Sequence, residues 1–157
     1  NVMNELVYRN LSEDAKRQIC AWKYGGEYDL YNLPSYEEMQ VRQIGFMNPQ
    51  REKNYYGFWD ESILVGFVNI LEEKEEIFIG IGVNPDLCNK HYGQRMLSIT
   101  YEISKKLYPN KPLYLEVRTW NIRAVKCYQK AGFRIDGQAY ELTTGIGTGT
   151  FYRMIRE

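Results

Sequence analysis

The chain has 157 residues with 20 basic and 20 acidic side chains, and 44% of its residues are hydrophobic. This length and composition are typical of one folded domain. The balanced charge gives no reason to expect the broad basic face that binds nucleic acid, and no apolar run reaches the roughly 18 residues of a membrane span. The sequence therefore predicts no nucleic-acid partner and no membrane partner.

The first third of the chain predicts a strand and two helices. Residues 5–9 form a short β-prone run, and Ser12 is a candidate N-cap followed by apolar residues at helical spacing. Residues 24–34 contain two glycines and a proline, which predicts a loop. Ser35 is followed three residues later by a glutamate, the spacing of a capping box, so a second helix is predicted from there to about Phe46.

The middle of the chain predicts an antiparallel meander followed by a crossover. Residues 54–59, 62–71 and 76–83 are rich in β-branched and aromatic residues and are separated by acidic turns. Residues 91–107 have apolar residues three and four apart, which predicts a helix, and residues 113–118 predict the next strand. We expect that strand to lie parallel to the last strand of the meander through a right-handed crossover.

The last part of the chain predicts one helix and two strands. Residues 121–131 have a helical pattern, and Gly132 is a natural C-terminal cap. Strands are predicted at about 133–141 and 149–155, on either side of a turn rich in glycine and threonine.

The order of these elements predicts an α+β protein with a central mixed sheet. The chain has no internal repeat, low-complexity tract or linker, so we expect a single domain over residues 1–157. Asn1 and Val2 precede Met3, and we expect these two residues to be additions before a native start.

Cysteine and histidine usage restricts the kinds of site that the chain can form. Cys20, Cys88 and Cys127 are odd in number and widely spaced, which favours reduced thiols in a cytoplasmic protein. His91 is the only histidine, so a His-rich metal site and a zinc-protease helix are excluded and no metal is predicted.

The first stretch that suits a ligand runs from Ile81 to Leu97 and reads Ile-Gly-Val-Asn-Pro-Asp-Leu-Cys-Asn-Lys-His-Tyr-Gly-Gln-Arg-Met-Leu. A strand ends, a loop follows and a helix begins, and the N–H groups and dipole at a helix start suit a phosphate. Gly93 would let a ligand approach the backbone, and Lys90 and Arg95 add positive charge. A plain crossover without any ligand explains the same pattern.

The second stretch runs from Leu115 to Phe133 and reads Leu-Glu-Val-Arg-Thr-Trp-Asn-Ile-Arg-Ala-Val-Lys-Cys-Tyr-Gln-Lys-Ala-Gly-Phe. Its carboxylate, Glu116, lies on a predicted strand, and Tyr128 shares a helical face with two alanines. By itself, a tyrosine on such a face is more often a core residue, and the glutamate could equally be a hydrogen-bonded or solvated carboxylate with no chemistry.

Together the two stretches resemble the GNAT superfamily of acyl-CoA-dependent N-acyltransferases. The Val-x-Pro at Val83 with its glycine-containing loop is similar to the acyl-CoA-binding motif of that superfamily. The run Asn-x-x-Ala-x-x-x-Tyr-x-x-x-Gly-Phe from Asn121 to Phe133 resembles the motif that follows it. The Leu-Glu-Val-Arg strand is similar to the branch that acetylates the N-termini of ribosomal proteins. The resemblance implies a central mixed, mostly antiparallel sheet with helices on both faces.

The resemblance also implies an activity and a set of site residues. The enzyme would transfer an acetyl group from acetyl-CoA, its co-substrate, to a primary amine of a small molecule or protein by direct attack on the thioester. Glu116 would be the general base and Tyr128 the general acid, with Glu76 as another candidate base. A homodimer is plausible for this superfamily. The residues implied in acetyl-CoA binding are Ile81, Gly82, Val83, Asn89, Lys90, His91, Tyr92, Gly93, Gln94 and Asn121.

The loop departs from the usual pattern of the superfamily at two positions. Cys88 stands where an arginine or glutamine is usual, and His91 stands where the first glycine is usual. We expect altered affinity for acetyl-CoA rather than lost binding, because backbone donors remain. A non-catalytic acyl-CoA sensor and a purely structural domain are the competing interpretations. Cysteine acyl carriers are disfavoured because no base partner is visible for Cys88 or Cys127.

The acceptor is left open by the sequence. Trp22 and the tyrosines that follow it are expected to shape an acceptor pocket, but tyrosines at half-buried positions are also common as packing. The tyrosines concerned are Tyr24, Tyr28, Tyr31 and Tyr36.

Overall fold

The computed structural model describes residues 5–157, so the expectation for Asn1 and Val2 lies outside the described residues. The strands are β1 (Val7–Asn10), β2 (Tyr55–Asp60), β3 (Ile63–Glu72), β4 (Ile77–Val83), β5 (Leu113–Arg118), β6 (Arg134–Ile135), β7 (Tyr140–Thr144) and β8 (Gly147–Arg156). The α-helices are α1 (Glu13–Ala21), α2 (Tyr36–Arg42), α3 (Tyr92–Leu107) and α4 (Ile122–Lys130). No helix between residues 5 and 157 has the length and apolar character needed to cross a membrane.

The strands form one sheet in the order β1-β2-β3-β4-β5-β8-β6, with β7 paired to β8. β4 and β5 run parallel, and the ladders of β1 with β2, β2 with β3, and β8 with β5, β6 and β7 are antiparallel. The predicted α+β class, with a mixed and mostly antiparallel sheet and a parallel crossover through α3, is confirmed.

The chain divides into two compact units. The first contains residues 5–69 of the described chain together with Ile81–Tyr92, and the second contains Ile70–Gly80 and Gly93–Glu157. The expectation of a single domain over residues 1–157 stays a prediction.

In the first unit, the two predicted serine caps start α1 and α2. Ser12 Oγ accepts a hydrogen bond from the backbone N–H of Ala15 at 3.1 Å, and Ser35 Oγ accepts one from Glu38 N–H at 3.1 Å. Each bond satisfies one of the N–H groups that have no partner inside the helix. The helices bury a core that includes Ala15, Ile19, Cys20, Met39, Phe46, Trp59 and Leu64.

The predicted end of α2 and the predicted loop over 24–34 differ from the structure. α2 ends at Arg42 because Gln43 adopts a left-handed conformation with φ of 52°. Phe46 lies in the short 3₁₀ turn that follows, and its side chain is buried in the core with 1% of its surface exposed. Phe46 is therefore a core residue, as its apolar character suggests, although it is not part of α2. Residues 24–34 contain a 3₁₀ helix, Gly26–Tyr31, which the glycine and proline content did not predict.

In the second unit, β8 is the strand with which β5, β6 and β7 pair. β5 pairs with it along its whole length, from Leu113 opposite Arg156 to Arg118 opposite Phe151. The single predicted strand over 133–141 is instead two strands, β6 and β7, because the chain bends at Gly137, which has a φ of +77°. The predicted cap Gly132 is confirmed by its φ of +96°.

The ladder between β4 and β5 is short. It contains two residue pairs, Ile77 with Leu113 and Phe78 with Tyr114, although both strands continue beyond them. Within the second unit, β5 from Leu115 onward is therefore paired on its β8 edge only.

Candidate functional site

The end of β4 is held firmly within the first unit. Asn84 donates its backbone N–H to Val65 O at 2.8 Å, and its side-chain Nδ2 donates to Leu64 O at 3.1 Å. These two bonds keep the chain against β3 until the short turn Pro85–Leu87 begins. The three predicted acetyl-CoA residues Ile81, Gly82 and Val83 are the last residues of this strand.

Val83 presents its backbone polar groups away from β3. Neighbouring residues of a strand direct their N–H and C=O groups to opposite edges, and both groups of one residue share an edge. Asn84 uses the β3 edge, so the N–H and C=O of Val83 point away from it. The carbonyl oxygen of Val83 accepts a hydrogen bond from Tyr24 Oη at 2.6 Å. Burial raises the pKa of Tyr24, so the phenol remains a donor at neutral pH.

Gly82 allows an aromatic ring to lie against the strand end. A β-carbon at this position would lie 2.4 Å from Cε1 of Phe67, which is too close for any side chain. The Phe67 ring also packs against Trp22, with ring centroids 6.3 Å apart. The requirement for glycine here comes from this packing, not from its backbone φ.

The predicted phosphate loop leads from this strand end into α3. Asn89 and His91 both adopt left-handed conformations, with φ of 67° and 66°, and both are exposed together with Lys90. Tyr92 starts the helix, and its hydroxyl donates to Asp60 Oδ2 at 2.6 Å. The helix has 16 residues, and the backbone N–H groups and dipole at its N-terminus favour an anion. Gly93 and Gln94, in the second unit, lie in its first turn.

In the second unit, Glu116 has a partner that the sequence did not predict. Its Oε2 accepts a hydrogen bond from Tyr140 Oη at 2.5 Å, and both side chains are half-buried. Burial, followed by this hydrogen bond, raises the pKa of Tyr140, so the phenol stays protonated and keeps donating. The described residues give Glu116 no other hydrogen bond or ion pair. The two residues are 24 apart in sequence, and no local motif links them.

Glu76, the other candidate base, is fully engaged by an arginine. Arg153 Nη1 and Nη2 donate to Glu76 Oε2 and Oε1 at 2.8 and 2.5 Å, and Arg153 Nε donates to Asp136 Oδ2 at 3.1 Å. The hydrogen bond with Glu76 is the main cause of the raised pKa of Arg153. Arg153 also lies directly opposite Glu116 in the β5–β8 ladder. Glu76 therefore serves as an anchor for a cation, whereas Glu116 keeps one oxygen available.

The predicted residues of the second motif begin and line α4. Asn121 is the N-cap, since its Oδ1 accepts from Ala124 N–H at 3.2 Å, and it is buried with 8% of its surface exposed. This cap alone explains an asparagine at the position. Tyr128 is half-buried on the same helix.

The three cysteines are poor candidates for acyl carriers. All are free thiols, and burial raises the pKa of Cys20 and of Cys127, which lowers their thiolate content. Cys88 Sγ donates to Asn84 O at 3.7 Å. Among residues 5–157, no group of three or more His, Cys, Asp or Glu side chains could hold a metal ion.

The sequence matches the family model of the acetyltransferase (GNAT) family over residues 11–133. The chain belongs to the GNAT acetyltransferase family. It is an acyl-CoA-dependent N-acetyltransferase, as members of this family use acetyl-CoA as co-substrate. No curated protein matches the sequence.

Solved structures share the fold of this GNAT acetyltransferase at low sequence identity. A GNAT-family acetyltransferase from Bacillus anthracis has a TM-score of 0.80 and 16% identity, with 98% of this chain and 95% of that chain covered. A chimera of spermidine N-acetyltransferase SpeG from Vibrio cholerae with hSSAT has a TM-score of 0.77 and 19% identity, with 98% and 95% covered. SpeG from Vibrio cholerae in complex with manganese ions has a TM-score of 0.72 and 19% identity, with 96% and 91% covered.

The left-handed backbone explains one departure of this GNAT acetyltransferase from the loop pattern. His91 stands where glycine is usual, and it keeps the backbone conformation that glycine adopts freely. For a residue with a β-carbon this conformation costs about 1–2 kcal/mol. The loop therefore carries this strain at His91.

Replacing His91 with glycine should stabilise the protein. We expect a gain of about 0.5–1 kcal/mol in the free energy of unfolding, because relief of strain exceeds the larger entropy that glycine gives the unfolded chain. Urea denaturation of the wild type and His91→Gly would measure it. The matched control is Lys90→Gly, because Lys90 is also exposed but is not left-handed. The free energy of unfolding of that variant should fall by about 0.5–1 kcal/mol. Equal effects of the two glycine substitutions would show that His91 is not strained.

Proposed function

We propose that this enzyme transfers the acetyl group of acetyl-CoA to a primary amine by direct attack of the amine on the thioester. The observation that carries the proposal is the continuous stretch from Ile81 to Gln94. It supplies an anchored strand end, whose Val83 N–H points away from β3, and then a glycine-like loop that enters a 16-residue helix. In chain order, the N–H of Val83 could donate to the thioester carbonyl, and the N–H groups of the loop and helix start could donate to the phosphates of CoA.

Acetyl-CoA would bind mainly to this backbone. Ile81–Val83 would pair with the pantetheine arm as an added strand. The N–H groups of residues 89–94 would hold the pyrophosphate, supported by the dipole of α3 and the charge of Lys90. Asn121 would contact the pantetheine region. Because most donors are backbone groups, we expect the absence of an arginine or glutamine at Cys88 to alter the affinity for acetyl-CoA without abolishing binding.

The chemistry needs a base, a carbonyl donor and an acid. An alkyl amine is mostly protonated at neutral pH, so Glu116 would take a proton from the ammonium, directly or through a water molecule. The free amine then attacks the thioester carbonyl, whose developing negative charge would be stabilised by Val83 N–H. As the C–S bond breaks, Tyr128 would give its proton to the departing CoA thiolate, and the proton that the attacking nitrogen loses as the amide forms would return the Tyr128 phenolate to a phenol. Glu116 is preferred to Glu76 because Arg153 occupies both oxygens of Glu76.

We further propose that the enzyme works in the cytoplasm, which its three free thiols support. A homodimer remains a proposal drawn from the family alone.

Calorimetric titration with acetyl-CoA tests the binding site. The wild type should bind saturably, and Lys90→Glu and Gly93→Glu should weaken binding at least tenfold, because each places a carboxylate where the pyrophosphate would bind. Gly93 is buried, so circular dichroism must show that its variant is folded, whereas Lys90 is exposed. Lys74→Glu, the same charge reversal in the exposed turn before β4, is the control and should bind as the wild type does. Unchanged binding by Lys90→Glu would remove the loop from the proposed site, and binding without transfer to any amine would make the protein a sensor.

Replacing Tyr128 with phenylalanine tests the general acid. We expect kcat to fall roughly 100-fold, the low end of what a positioned acid contributes, while the Kd for acetyl-CoA stays within a factor of about two. Tyr101→Phe is the matched control, since Tyr101 is a half-buried helical tyrosine whose hydroxyl bonds to the backbone oxygen of Glu157. Wild-type turnover in Tyr128→Phe would refute the role.

The Tyr140–Glu116 bond offers a separate test of the base. Glu116→Gln should lower kcat about 100-fold or more. Tyr140→Phe should lower it about tenfold, because a hydrogen bond to a charged group is worth about 1.5–3 kcal/mol and holds the carboxylate in place. Tyr114→Phe removes a similar phenol-to-carboxylate bond, to Glu73 at 2.7 Å, and should leave kcat unchanged. Equal turnover in Tyr140→Phe and Tyr114→Phe would count against Glu116 as the base.

A further inference from the structure

Arg118, the last residue of β5, lies on the same face of the sheet as Glu116. Residues two apart on a strand share a face, and their Cα atoms are about 6.6 Å apart. Arg118 is directly opposite Phe151 on β8, and Phe151 is directly opposite Tyr140 on β7. Directly opposite residues also share a face. The second unit therefore places this guanidinium next to the hydrogen-bonded pair of Tyr140 and Glu116.

Packing, and not a counter-ion, sets the position of the Arg118 side chain. The side chain is half-buried, and its guanidinium carbon lies 4.7 Å from the centre of the Phe151 ring. It also lies against Gly149, where a β-carbon would be only 2.1 Å from Arg118 Nη1. The glycine at this position is thus required by the space that the guanidinium occupies.

These contacts leave the N–H donors of Arg118 available to a ligand. An aromatic ring attracts the positive charge but offers no oxygen to the five N–H donors of a guanidinium. Among residues 5–157, the Arg118 guanidinium has no hydrogen bond and no ion pair. Arg153, on the same face, instead donates to Glu76 and Asp136. Because polar groups removed from water usually find a partner, the open donors of Arg118 favour an anion that binds there.

This face therefore presents an open carboxylate oxygen beside an open cation. Glu116 accepts from Tyr140 through Oε2 and keeps its other oxygen available, while Arg118 keeps its donors. The pair is complementary to a molecule that carries an ammonium and a carboxylate close together. The ammonium would face Glu116, and the carboxylate would fit the planar fork of the guanidinium, which binds carboxylates through two parallel hydrogen bonds.

We infer that Arg118 is a specificity-determining residue that binds the carboxylate of the acceptor, and that the acceptor is a free amino acid. The inference rests on the proposed function, since it takes Glu116 as the base that receives the ammonium proton. The carboxylate takes no part in the bond changes. Acetyl-CoA and the amino acid give the N-acetyl amino acid, CoA and the proton that the ammonium releases.

Steady-state kinetics with matched pairs of amines test the substrate class. Each standard L-amino acid is compared with its α-carboxamide, which has nearly the same shape but no negative charge. We expect kcat/KM for the best amino acid to exceed that for its carboxamide at least tenfold, because the carboxamide loses a hydrogen bond between charged groups.

Two further amines separate the possible outcomes of this comparison. Spermidine carries no anion, and O-phosphoethanolamine carries a phosphate in place of a carboxylate. Equal rates for acid and carboxamide, or a preference for either of these amines over every amino acid, would overturn the inference and leave the proposed function intact. If no amine of the panel released CoA from saturating acetyl-CoA, the proposed function itself would fail.

Variants of Arg118 show whether the guanidinium binds the carboxylate. Arg118→Gln should raise KM for the best amino acid at least tenfold, with KM for its carboxamide and Kd for acetyl-CoA nearly unchanged. Arg118→Lys should recover part of this loss, because it keeps the charge but not the fork. The matched control Arg9→Gln removes another guanidinium that lies over a ring, 3.7 Å from the centre of Trp59, and should change no constant. An equal rise in KM for acid and carboxamide, or a weaker Kd for acetyl-CoA, would overturn the assignment.

Gly149→Ala tests the position of the guanidinium without changing its charge. The added methyl group would occupy the place of Arg118 Nη1, so the guanidinium must move and KM for the amino acid should rise several-fold, with little change for the carboxamide. Gly145→Ala is the control, because a β-carbon there meets no atom within 4 Å. Circular dichroism checks that both variants are folded. An unchanged KM in folded Gly149→Ala would show that the acceptor does not bind at this guanidinium.

Discussion

The peptide group between Val83 and Asn84 is the fixed point of the first unit. Its N–H is bonded to Val65 on β3, and its C=O is bonded on the other side by the Tyr24 phenol. A peptide group is planar, so bonds at both ends set its orientation. That orientation sets the direction of the Val83 N–H. It also sets the direction in which the chain enters the turn at Pro85 and continues toward α3. This fixed orientation suits the oxyanion role proposed for Val83 N–H, because an oxyanion donor works only when it is already in place.

Much of the fold could be predicted because its signals are local. The two serine caps and the β5 strand appear where the residue pattern placed them, since each depends on neighbours within a few positions. The end of α2 and the bend at Gly137 could not be predicted in the same way. Glutamine is not a residue that usually ends a helix, yet α2 ends at Gln43. The burial of Phe46 in the core, a tertiary contact, determines the path of the chain there.

The backbone part of the candidate site could be predicted from the sequence, but the side-chain partners could not. The backbone part could be predicted because a strand, a loop and a helix start occur in one continuous stretch. The side-chain partners could not, because Tyr24 meets Val83 across 59 residues, and Glu76 meets Arg153 across 77. Such pairs are created by the sheet order and leave no trace in local spacing. The Glu76–Arg153 pair nevertheless occupies both oxygens of Glu76, whereas Glu116 keeps one oxygen available.

β8 has a consequence for how the second unit forms. Each strand that pairs with it, β5, β6 and β7, precedes it in the chain, and its Arg153 supplies the guanidinium that binds Glu76 and Asp136. During synthesis, those three strands emerge before the strand that joins them. Until β8 arrives, β5 has a long open edge, and exposed strand edges are where chains associate wrongly. The carboxylate proposed as the base, Glu116, can thus be aligned only after β8 has emerged, so the sheet around it should become ordered later than the strands that precede β8.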